Sequence, residues 1–212
     1  MVRRRAPSLH RRLAKRAPKK RFTIYCEGAN TEPQYLRALK TVYKDALIVV
    51  DTVAPAGVPY TIARKAVEFI KQLEKEKTSS FEEGDEVWVV FDRDEHHKFE
   101  EAVNLCEQKR ISVARSNPCF ELWIILHVTD FNKPDDGQAV RKHLAKLRPE
   151  YNPAGPKSVV CEELMGSVVE AERRAERLLD RRVEEGAPFG RPSTTVNHLT
   201  RAIRQAAEEF AS

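Results

Sequence analysis

The chain has 212 residues, 41% of them apolar and 33% charged, enough for one sizeable core with a helical appendage and unlike a disordered polymer. No apolar stretch has the length of a membrane span and the opening residues lack the apolar core of a secretory signal, so a cytoplasmic protein is expected. The net charge of +5 is unevenly placed: Met1 to Arg21 hold ten Lys or Arg and no acid, which leaves the remainder of the chain five units net negative.

That opening, "RRRAPSLHRRLAKRAPKKR", reads as a basic tail over residues 1–20. Arg3, Arg4, Arg5, Arg11, Arg12, Lys15, Arg16, Lys19 and Lys20 would hold the phosphates of a nucleic acid. A solubilising terminus has the same composition. A transit peptide would carry more serine than this segment does. Phe22 to Cys26 then reads as a short strand ended by Glu27 and Gly28, with Thr31 and Gln34 at capping-box spacing and Leu36, Leu39 and Tyr43 on one helical face. "ALIVVDTV" is the second strand. After a loop marked by Pro55, Gly57 and Pro59 comes a helix with Ile62, Ala66, Phe69, Ile70 and Leu73 on its apolar face.

"VWVVF" is apolar on both faces, which predicts a central strand covered by helices. Phe99, Ala102, Val103 and Cys106 space out a third helix, and "ISVAR" is a fourth strand. "SNPCFELWIILH" starts a helix in which Asn117 would be the N-cap and Pro118 the first helical residue. Only helical patterns follow: Val140, Leu144 and Leu147; a break at Asn152 to Pro156; Leu164, Val168, Ala171, Ala175 and Leu178; and Val196, Leu199, Ile203, Ala206 and Phe210. Cys26 and Cys106 fall in apolar patterns, and Cys119 and Cys161 complete a set of four with no CxxC pair, so neither a zinc framework nor an oxidising compartment is indicated.

The alternation predicts an α/β fold: a parallel sheet of about four strands over residues 21–116 with helices on both faces, and a helical C-terminal portion, 117–212, packed on it. Sites in such sheets form at the carboxyl ends of the strands. Those ends supply Glu27, then Asp51, then Asp92, Asp94 and Glu95, then Ser116 and Asn117, with Glu121 one turn into the next helix. If the first and third strands are neighbours, Glu27 faces Asp92. Two carboxylates that close repel unless something neutralises them, and a hard divalent cation such as Mg²⁺ or Mn²⁺ suits their oxygens. The rival reading is local, with Asp92 or Asp94 capping the next helix and Glu95 favouring its dipole. His96 and His97 read as exposed first-turn residues, with metal ligation or proton shuttling as the alternative. Arg93 would point away from its flanking aspartates, toward Glu95 or a phosphate. Arg115 and Lys157 are candidate stabilisers of phosphoryl-transfer charge. Trp88 and Trp123 read as core, and the charge-rich stretch Glu162 to Arg182 as a solvated helix face.

"IYCEGANTE" followed by "VVFDRDEH" resembles the Toprim domain, the metal-binding module of topoisomerases, primases and some nucleases. "CEGANTEPQYL", "FDRDEH", "SNPCFELWIILH" and "PSTTVNHL" resemble more narrowly the RloB-like proteins, prokaryotic Toprim proteins of restriction-modification and phage-defence loci, over Arg21 to Leu199. The resemblance implies a Mg²⁺- or Mn²⁺-dependent nuclease. In it Glu27 would be general acid or base, and Asp92 and Asp94 would hold the metal, with Glu27 beside it. Glu121 would be a further ligand or a helix-start residue, and Glu32 a second acid with an equally plausible structural role. The chain has little room for a topoisomerase gate and no zinc module of the primase kind. RNA, tRNA included, or DNA is the implied substrate, with an AAA- or ABC-type ATPase as partner and a homo-oligomer as a further expectation. Two other readings stand beside it: a nucleic-acid-binding or regulatory subunit that acts only with such an ATPase, and a Toprim site that makes or transfers phosphodiesters.

Overall fold

The structure is a computed structural model, and it describes residues 19–28, 30–52, 58–75, 84–93, 98–155 and 159–211. Strands β1 (Arg21–Cys26), β2 (Leu47–Thr52), β3 (Glu86–Asp92), β4 (Ser112–Asn117) and β5 (Ser193–Thr194) form one sheet in the order β2-β1-β3-β4-β5. The first four are parallel, as the sequence pattern predicts, and β5 is antiparallel to β4. The C-terminal portion therefore contributes a strand as well as helices. Two residues of "ST" are too short to produce an alternation that a sequence pattern would reveal.

Among the described residues seven α-helices surround the sheet: α1 (Thr31–Val42), α2 (Pro59–Lys75), α3 (Phe99–Gln108), α4 (Glu121–Val128), α5 (Gly137–Leu147), α6 (Val168–Glu184) and α7 (Val196–Ala211). Side-chain alternation along β3 explains the layering. Trp88 and Val90 face a large core with α1, α4, α5, α6 and α7, whereas Val87, Val89 and Phe91 face a smaller one with α2 and α3. The five inner residues of β3 are all buried, as a strand covered on both faces requires. Both tryptophans are core residues, and all four cysteines are buried thiols outside any disulfide.

Four local expectations are corrected. Asn117 is the last residue of β4, in register with Ser193, and α4 begins only at Glu121, so Asn117 is no helix cap and Pro118 precedes the helix. Asn30 flanks the start of α1 without a side-chain cap bond, and the Gln34 N–H instead reaches the Asn30 carbonyl at 3.0 Å. Leu164 lies in a 3₁₀ segment, Cys161–Ser167, ahead of α6, and α6 is not solvated along its whole charged face. Glu172 and Arg182 are buried, Glu172 against α7 and Arg182 against the carbonyl of Arg191 and the side chain of Asn132.

Candidate functional site

Strand order makes β1 and β3 neighbours, with Cys26 opposite Val90. The Glu27 N–H continues that ladder by donating to the Val90 carbonyl at 3.2 Å. This fixes the Glu27 backbone beside the end of β3. Its Oε2 accepts from the Asp92 N–H at 3.4 Å, a long and therefore weak bond whose value is positional. Asp92 closes β3 opposite Ser116, and its Oδ1 is closed off from solvent. The expected juxtaposition of Glu27 and Asp92 is thus present.

Two further buried acids lie on the elements that follow these strands, α1 and α4. Glu32, the second residue of α1, is buried with its carboxylate against Gly28. A Cβ at position 28 would press on that carboxylate, so a side chain there would require the Glu32 carboxylate to move. Glu121, the first residue of α4, is buried and accepts the Tyr151 hydroxyl at 2.7 Å. Cys119 sits between acids of both elements. Burial pushes its thiol well up, and the charges of Glu121 and then Asp92 push it further, while Arg141 opposes them. Burial and then Glu121 likewise raise the Tyr151 hydroxyl, so it stays protonated as a donor.

The other sequence candidates are distributed differently. Asp94, Glu95, His96, His97 and Lys157 lie outside the described residues, as does the tail from Arg3 to Arg16. Asp51 lies within β2, in register with Tyr25, one residue short of the strand end. Asn117 donates from Nδ2 to the Phe189 carbonyl at 2.9 Å. Arg93 pairs with Glu100 at 3.3 Å and donates to the same carbonyl at 3.2 Å. Arg115 is in register with Phe91, so it leaves the sheet on the face opposite Asp92, and its guanidinium lies 3.3 Å from the centre of the Phe189 ring.

Lys19 and Lys20 sit at the amino edge of the sheet. Lys19 pairs with Asp45 at 3.3 Å and Lys20 with Glu86 at 2.6 Å. The basic tail thus joins the body at the edge opposite the acids, about 20 Å away by the rise of a six-residue strand. Tyr151, Cys119 and Phe189 carried no signal in the sequence. Each reaches the site through a contact with residues distant in the chain, apart from the local Cys119–Glu121 pair.

The donor set decides what this edge can hold. Among the described residues no group of three or more His, Cys, Asp or Glu is placed to hold a metal ion, and Asp94 to His97 fall outside them. Mg²⁺ needs less, commonly one or two carboxylates with water and substrate phosphate completing its shell. Glu27 and Asp92, hard oxygen donors at adjoining strand ends, fit that demand.

A family model described as RloB-like protein matches residues 22–203. No curated protein and no solved structure matches the chain.

Proposed function

The chain belongs to the RloB-like family, and from that premise we propose that it is a Mg²⁺- or Mn²⁺-dependent nuclease of Toprim type that hydrolyses phosphodiesters of RNA or DNA in phage defence. The observation that carries the reading is the meeting of Glu27 and Asp92 across β1 and β3, with Glu32 and Glu121 buried behind them. Asp92 and Asp94 would hold the ion, with Glu27 beside it and Glu121 as a supporting acid. The bound ion would polarise the scissile phosphate and lower the pKa of an attacking water. Glu27, fixed by its own N–H on Val90 and by the Asp92 N–H, would move the proton of the attacking or leaving oxygen. The basic tail would hold the phosphate backbone, which gives binding a steep salt dependence.

The test is cleavage of labelled RNA and DNA by the purified full-length chain with Mg²⁺ or Mn²⁺. Glu27→Gln and Asp92→Asn should each lower the rate about a hundredfold or more with the fold intact by circular dichroism. Activity that survives both substitutions sinks the proposal. A chain that cleaves only when an ATPase is supplied supports instead the reading of a subunit that works with that partner.

A further inference from the structure

β5 pairs with only the last two residues of β4. Below them, the outer edge of β4 borders a pocket of about 300 Å³ between α3, the start of α7 and Phe189. Arg115 forms its inner wall. The Phe189 ring holds the guanidinium, and among the described residues no carboxylate or carbonyl bonds it. Burial lowers the Arg115 pKa and outweighs the charges of Glu100 and Glu107, neither of which bonds the guanidinium. A guanidinium offers five donors in a fixed fork suited to phosphate.

The rest of the wall says what accompanies the anion. Val103, Ile111 and Val113 give an apolar surface on the same face as Arg115, and Trp88 lines the opening from the other face of the sheet. His198, Ser112 and Glu107 supply hydrogen-bonding groups of both senses around it. A phosphate joined to a flat heterocycle bearing donors and acceptors matches this arrangement, and the volume is at the small end of ligand pockets. We propose that this pocket binds a nucleotide, with its phosphate on Arg115 and its base against the aromatic and apolar wall. The proposal does not rest on the acidic edge being a nuclease site. The two are linked by one residue: the Phe189 carbonyl takes Asn117 Nδ2 and Arg93 Nη1, and Arg93 directly follows Asp92.

The full-length chain, held in EDTA to silence any metal site, is titrated with the 5′-mononucleotides, with a short single-stranded RNA and with inorganic phosphate. Binding is followed by calorimetry and by tryptophan fluorescence, since Trp88 lines the pocket and Trp123 is sealed in the core. Nucleotide or RNA should quench the emission, and Arg115→Gln should weaken that binding about tenfold or more at unchanged circular dichroism. Ser112→Phe, which fills the pocket from its rim, should abolish the quench and gives the reading if Arg115→Gln does not fold. Saturation by mononucleotides identifies a free nucleotide as the ligand. An Arg115-dependent response to RNA alone identifies one unit of a strand. If neither ligand binds, or if both variants bind as wild type does, the proposal is overturned.

Discussion

Glu172 on α6 and Glu121 at the start of α4 are buried to nearly the same degree, 2% and 4% exposed, yet they are compensated in different ways. Glu172 takes the Arg204 guanidinium at 2.9 Å, the Thr200 hydroxyl at 3.0 Å and the charge of Arg201 at 4.0 Å. Glu121 takes a neutral hydroxyl and lies beside a neutral thiol, and among the described residues no cation pairs with it. Its place at the first residue of α4, the positive end of that helix, supports it. A buried ion pair at a helix seam is complete in itself. A buried carboxylate served by neutral donors at a strand edge retains the capacity to meet a positive charge from outside.

Charge removal breaks or sharpens this comparison most directly. Glu172→Gln should destabilise by about 3 kcal/mol, because the buried seam loses the charge that Arg204 and Thr200 bond, and Arg204 is left with Glu208 and Arg201 with Glu176 at its rim. Glu121→Gln keeps an oxygen for Tyr151 and relieves a buried charge, so its stability should stay within about 1 kcal/mol of wild type or exceed it. Urea unfolding of both variants measures the difference. Equal destabilisation would erase the distinction between the two glutamates.

Much of this was legible before any coordinates. "VWVVF" announces a strand covered on both faces because it lacks polar alternation, and the acids at the ends of β1 and β3 follow from the parallel order. Asn117 misled because Asn-Pro before an apolar run has the chemistry of a helix start, while the strand pairing with Ser193 that overrides it lies far along the chain. Glu172 misled for a related reason. A glutamate among arginines has a solvated face by local pattern, and only the packing of α7 buries it. Tyr151 and Phe189 were invisible because their roles depend on a hydroxyl and a carbonyl delivered by loops of no regular period.

His127, at the far end of α4 from Glu121, is the next most sensitive reporter. Its Nδ1–H donates to the Trp123 carbonyl at 2.9 Å, leaving Nε2 to accept from the Tyr35 hydroxyl at 3.1 Å. That is the neutral imidazole, and burial lowers its pKa from 6.5 to about 4, outweighing the Trp123 carbonyl, with Arg174 adding to the fall. The unfolded chain therefore binds the proton first as pH drops. Stability should be fully present above pH 6.5 and lost between 6.5 and 4, by at most about 3 kcal/mol from this group. Unfolding free energies of wild type and His127→Gln across that window measure the contribution. An unchanged slope in the variant would assign the acid sensitivity to other groups.

The smallest effect isolates Glu121 itself. Tyr151→Phe deletes the hydroxyl 2.7 Å from Oε1 and leaves a buried carboxylate short of its strongest donor, at a cost of about 1.5 kcal/mol. In the Glu121→Gln background the same deletion should cost distinctly less, since the group left behind carries no charge. The difference between the two costs is the coupling between hydroxyl and charge. A coupling near zero would mean that the hydroxyl bond does not depend on the Glu121 charge. Millimolar Mg²⁺ gives the cycle a functional arm: if Glu121 supports an ion held by Asp92, added Mg²⁺ should raise the stability of wild type and Tyr151→Phe more than that of Glu121→Gln.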